Sequence, residues 1–251
     1  MTNYQMSAFI TGFGWVTAAG CGRGQTGAAP LWKAGEPQPP TSVLQNLHGG
    51  SRFGRLDLFS QIGVAAVALA LEDADRLHRA SPVNNNDQNL GLICATTSSC
   101  NRTDYDFFKT VQADPRLASP GLFVYTLATS FLGESALRFA INGTSLALIE
   151  PQPSGAQALR LGLEQLTFGD EAVVITGVCN LFESTGSPPP IFSGALFLVL
   201  EKGLGGQTFS HATICYNAQK NSFHCNNQPC TDILSLAETI CANKNTTPNP
   251  A

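Results

Sequence analysis

An apolar run ending at Glu150 passes through Pro151-Gln152-Pro153-Ser154-Gly155 into a helical pattern that begins at Pro153 or Ser154. A strand that turns sharply into a helix is a common way to set a nucleophile at the helix's positive end. The residue at this tip is Gln152, whose carboxamide does not attack acyl groups. Ser154 lies at the helix start, where its hydroxyl is expected to cap free backbone amides. His48, His78, His211 and His224 fall in loops or in the weakly patterned C-terminal part, and none sits in a motif that marks a general base. No catalytic residue is expected at the turn, and the question is why its shape is present.

The other groups with chemical potential are weaker. Gly12-Phe13-Gly14 follows a strand-like run, but Thr17 stands where a dinucleotide fingerprint needs its third glycine, so a turn is expected. Cys94 and Cys179 lie in or beside strand-like runs, as buried free thiols do. His211, Cys215, His224, Cys225 and Cys230 lack the paired CxxC knuckles of a zinc site, so neither metal nor cofactor is expected. A net charge of −4 and a pI near 5.5 give no basic field for nucleic acid. The most apolar window, Ile62 to Leu71, is too short to cross a bilayer. A soluble, cytoplasmic protein is expected.

The elements that position the turn are legible as alternating strands and helices. Strands are expected at Ser7–Thr11, Leu90–Ala95, Leu146–Ile149, Ala172–Gly177, Ala195–Leu200 and His211–Tyr216. Helices are expected at Gln61–Arg76, Thr103–Val111, Thr126–Ile141 (closed by Asn142-Gly143) and Ser154–Phe168. On the last of these the polar residues Gln157, Arg160 and Glu164 form one stripe, which leaves the rest of the circumference to be buried. The pattern is that of an α/β sheet with helices on both faces. It divides into residues 1–203 and a remainder, 204–251, read as one strand plus a flexible tail from about residue 217.

The segments ITGFGWVTAAG, RFGRLDLFSQIGVAAVALALEDAD, NLGLICATTSS, ASPGLFVYTLATSFLGESALRFAINGTSLAL, AVVITGVCNL and GALFLVLE, taken together, resemble the N-terminal half of the β-ketoacyl synthases. The resemblance runs from about Ala8 to Glu201. It implies a thiolase-like αβαβα arrangement of which only the N-terminal half is present. In that family a cysteine occupies the position of Gln152, and two catalytic histidines belong to the C-terminal half. Glutamine in its place resembles the chain-length factors of type II polyketide systems, and a short one resembles those of aryl polyene clusters.

The resemblance implies a non-catalytic subunit that pairs with a complete ketosynthase carrying a Cys-His-His site. It also implies transient contact with an acyl carrier protein, and a role in shaping the acyl tunnel for polyketide or polyene chains. Aligned with such factors, Cys100, Thr103 and Phe107 fall at the tunnel gate. Phe123, Tyr125, Phe131, Leu146, Leu148 and Ile149 fall at the partner interface, because the strand before the turn pairs across the dimer in this family. A second reading also follows from the resemblance: a Gln-type malonyl-carrier decarboxylase that primes chain synthesis.

Overall fold

In a computed structural model of the chain, residues 5–26, 28–40, 55–77, 89–181, 193–203 and 209–246 are described. Their order is β1 (Gln5–Thr17), β2 (Gly20–Arg23), α1 (Leu58–Asp73), β3 (Leu90–Thr96), α2 (Asn101–Ala113), α3 (Pro120–Phe123) and α4 (Ser130–Phe139). Then come β4 (Ser145–Ile149), α5 (Ala156–Phe168), β5 (Val173–Asn180), β6 (Gly194–Glu201), β7 (Ala212–Asn217), β8 (Ser222–Cys225), β9 (Gln228–Cys230) and α6 (Ile233–Thr246). The strands form one sheet in the order β4-β3-β5-β6-β1-β7-β8-β9, with β2 paired to the second half of β1. The pairs β3/β4 and β3/β5 are parallel, and the remaining pairs are antiparallel.

Every residue of β3, β5 and β6 is buried, as expected for strands covered on both faces. Their side chains alternate between two cores. Leu92, Cys94, Ile175, Phe197 and Val199 meet α1, Phe131 and Phe139 on one face. Ile93, Val174, Val178, Leu196 and Leu198 meet α5 and α6 on the other. Helix α1 is buried almost all round, and Asp57 caps its start by accepting from the Ser60 amide at 3.0 Å.

Gly12-Phe13-Gly14 is a strand interior, not a turn. The glycines are needed because any Cβ on Gly12 or Gly14 would run into the backbone of α1 at Ala70. Their lack of side chains lets α1 lie directly on β1, and a register shift between Ile10 and Gly12 marks the adjacent bulge. The helix expected over Thr126–Ile141 begins only at Ser130, since Pro120 starts a separate short helix upstream. It ends at Phe139, with Ala140 in the left-handed conformation. Asn142-Gly143 does not cap it. The Asn142 carboxamide oxygen accepts from the Leu90 amide at 3.1 Å and the Gly143 amide donates to the Leu90 carbonyl at 2.9 Å, which ties the loop to the start of β3.

The flexible tail expected from about residue 217 is likewise corrected. β7, β8 and β9 continue the sheet beyond β1, and α6 returns across its face. Ile233, Leu236, Ala237, Ile240 and Cys241 recur at helical spacing and are all buried with α5 in one core. The chain's own C-terminal elements thus cover this face of the sheet. The stripe Gln157, Arg160 and Glu164 on α5 stays at the surface or half-buried, with Arg160 and Glu164 3.6 Å apart.

Candidate functional site at the strand-to-helix turn

β4 is an edge strand held by β3 alone, and the Glu150 amide prolongs that pairing by donating to the Thr96 carbonyl at 2.8 Å. The chain then turns through Pro151 and Gln152, both exposed, while the Ser154 amide donates back to the Gln152 carbonyl at 2.8 Å. Gly155 has φ +69 and a Cβ there would fall 2.7 Å from Ile233 Cδ1, so glycine is required both by backbone and by packing. Helix α5 starts at Ala156, two residues later than the sequence suggests, and the Ser154 hydroxyl does accept from the Ala156 amide at 3.3 Å.

The main cap of α5 comes from a residue that sequence reasoning missed. Glu150 is only 4% exposed, and its carboxylate folds back over the helix start. Oε1 accepts from the amides of Gln157 (2.9 Å) and Ala158 (3.2 Å). Oε2 accepts from the Gly155 amide and the Ser154 hydroxyl, both at 3.1 Å. The free donors of the helix start are thus shared between one carboxylate and one hydroxyl. An acid placed between an apolar run and a helix-opening turn was the available signal.

Cys100, Thr103 and Phe107, expected at a tunnel gate, lie on one side of α2. Cys100 is the residue before the helix and is buried; its sulfur accepts from Ser99 Oγ at 3.3 Å, and burial raises its thiol pKa. Thr103 is also buried and donates its hydroxyl to Asp57 Oδ2 at 2.5 Å, which ties α2 to the cap of α1. Phe107 is half-buried, its ring 5.4 Å from that of Phe123.

The residues expected at a partner interface differ in burial. Phe123 is 61% exposed, Ile149 69% and Leu146 37%, while Tyr125 and Leu148 are half-buried. Phe131 is not a surface residue: it is fully buried, edge-on to Phe59 (5.4 Å) and Phe197 (6.1 Å), because its helix turns that face to α1. Leu117, Val124, Leu127 and Leu137 are further exposed apolar residues.

The histidines among the described residues are His211, just before β7, and His224 in β8. His211 Nε2 lies 2.5 Å from Asp73 Oδ2, both side chains are wholly enclosed, and Asp73 also accepts from the amides of Phe13 and Gln25. His224 of β8 stands directly across from Cys215 of β7. Among the described residues no group of three or more His, Cys, Asp or Glu side chains is placed to hold a metal ion, and no helix is long and apolar enough to cross a membrane.

No family model matches the chain. The actinorhodin polyketide β-ketoacyl synthase 2 of Streptomyces coelicolor is 26% identical over 212 residues, which cover 76% of this chain and 50% of that protein. The chain thus spans about half the length of this curated relative. Among solved structures, the ishigamide ketosynthase/chain length factor superposes with a TM-score of 0.62 at 18% identity, over 83% of this chain and 65% of that one. A type II polyketide ketosynthase in complex with its acyl-carrier protein (AntDE:AntF) gives 0.60 at 17%, over 84% and 68%. A β-ketoacyl synthase from Burkholderia phymatum gives 0.56 at 19%, over 83% and 63%. The chain has the fold of the β-ketoacyl synthases and their chain length factors, and it is similar in sequence to an actinorhodin polyketide β-ketoacyl synthase.

Proposed function

We propose that this chain is a non-catalytic chain-length factor that pairs with a complete ketosynthase subunit and shapes the tunnel receiving the growing polyketide or polyene chain. The observation that carries this reading is Gln152, exposed at the tip of the turn that opens α5. A carboxamide there accepts no acyl group, so carrier-bound acyl chains load on the partner's cysteine alone. The exposed apolar residues of β4 and α3 supply the kind of surface that marks a protein interface. Cys100, Thr103 and Phe107 are the gate of the tunnel in this reading, and the carrier protein is a transient visitor.

The test is reconstitution. The chain is co-expressed with a Cys-His-His ketosynthase, and the complex is supplied with acyl and malonyl carrier protein. Intact-protein mass spectrometry is expected to show the acyl adduct on the ketosynthase only. Products are expected to lose their defined length when this chain is left out. A covalent acyl adduct on this chain, or an unchanged product distribution in its absence, overturns the reading.

A further inference from the structure

A cysteine at the start of a helix is activated because free backbone amides and the aligned peptide dipoles favour a negative charge there. In this chain that place is taken. The Glu150 carboxylate, almost fully enclosed, holds the amides of Gly155, Gln157 and Ala158 and the Ser154 hydroxyl. Among the described residues no basic side chain forms an ion pair with Glu150, so the helix start is what compensates its charge.

We infer that Glu150 acts as a built-in anion that keeps the turn from stabilising any other negative charge, so that the absence of a cysteine is only one of two reasons for its inertness. Three features hold the carboxylate in place. Its own amide is bonded to Thr96 in β3, Pro151 confines the Glu150 backbone before it to the extended region, and Ile233 of α6 packs on Gly155. The consequence for chemistry is direct. A thiolate brought to position 152 would meet a carboxylate instead of free amides, and like charge raises a thiol pKa. A malonyl carboxylate or an oxyanion would meet the same repulsion. Glu150 is therefore a positioning residue for inertness, not a catalytic one.

This inference rests on reading the turn as the ketosynthase nucleophile position, but its test does not depend on partner or product. The full chain carrying Gln152→Cys is compared with Glu150→Gln/Gln152→Cys. The rate of iodoacetamide alkylation is followed against pH, with peptide mass spectrometry separating the introduced thiol from the native ones. The introduced thiol of the single variant is expected to titrate at or above the free-cysteine value of about 8.5. Adding Glu150→Gln, which keeps acceptor oxygen but removes the charge, is expected to raise the alkylation rate at pH 7 about tenfold or more. An apparent pKa below about 7 in the single variant would show the helix start free to activate a thiol, and would overturn the inference without involving Glu150. Equal titration in the two variants, with melting curves showing both folded, overturns it as well. Failure of the chain-length role would instead appear in the products of the unmodified complex.

Discussion

The amide of Ile233 donates to the carbonyl of Ser154 at 3.1 Å, so the first residue of the last helix is bonded to the turn that opens α5. Its side chain also fills the space that a Cβ on Gly155 would need. The C-terminal helix thus sets the shape of the turn, although the two residues lie 79 positions apart in sequence.

Ile233→Ala is expected to destabilise the chain by about 2–5 kcal/mol, as loss of a fully buried branched side chain does. Gly155→Ala is expected to cost about 1–2 kcal/mol from its left-handed backbone alone, with the clash added. Combined, the two substitutions should cost less than the sum, because each relieves the other's packing fault. Denaturant titration of the four proteins in the cycle measures this, and strict additivity would mean the contact is unimportant.

Surface and core phenylalanines should behave oppositely. Phe123→Asp and Ile149→Asp, on exposed residues, should leave the melting temperature within a few degrees yet abolish co-purification with the ketosynthase partner. Phe131→Ala should cost about 3–5 kcal/mol whether or not a partner is present, because Phe131 packs against Phe59 and Phe197. Size-exclusion chromatography with light scattering, read beside thermal melts, separates the two effects.

The proposed gate residues make a graded prediction. Cys100→Phe should shorten the products of the complex, at a stability cost of about 1–3 kcal/mol because the site is already full. Phe107→Ala, at a half-buried position, should lengthen them at smaller cost. Thr103→Val should mainly destabilise, by about 1.5–3 kcal/mol, by removing the hydrogen bond to the Asp57 carboxylate. Product chain length measured on assembled complexes decides, and an unchanged distribution for both Cys100→Phe and Phe107→Ala would place the gate elsewhere.

Alkaline conditions should loosen the fold. Burial raises the thiols of Cys94 and Cys179, and it pushes Cys225 up to about 11 and Cys230 up to about 12. Folded-state values above the unfolded one mean that the folded chain holds more protons. The stability they contribute is complete below about pH 8.5 and is lost as pH rises toward the folded values. Melting temperature should therefore decline between pH 9 and 11 (roughly the window between those two limits). Under native conditions the exposed Cys21 should be alkylated well before these four.

Much of this arrangement can be read from sequence where one periodicity dominates. The apolar runs of β3, β5 and β6 and the Ala-rich α1 stand out because both faces of each are buried. Reading fails where polarity hides a pattern. Asn- and Pro-rich turns mask β8 and β9, although the spacing of Ile233, Leu236, Ala237, Ile240 and Cys241 was a helical signal in plain view. Gly12 and Gly14 read as a turn because nothing local reveals that a helix will lie on them. Gln152 was found because it stands at a position defined by the backbone. Glu150 was missed because its importance resides in bonds to amides five to eight residues ahead, which composition does not encode.

Apart from the short β2 that follows it directly, β1 finds its partners late in the chain. Along one edge it pairs with β6, and along the other its first half pairs with β7. Its bulge residue Thr11 donates its hydroxyl to Glu201, 190 positions later, at 2.7 Å. During synthesis β1 emerges well before β6 and β7, its two long-range neighbours, exist. High contact order of this kind slows folding and leaves an apolar strand unpaired meanwhile. Helix α1 can shield one face of that strand early, through the close fit over Gly12 and Gly14, and so serves as a provisional cover during synthesis.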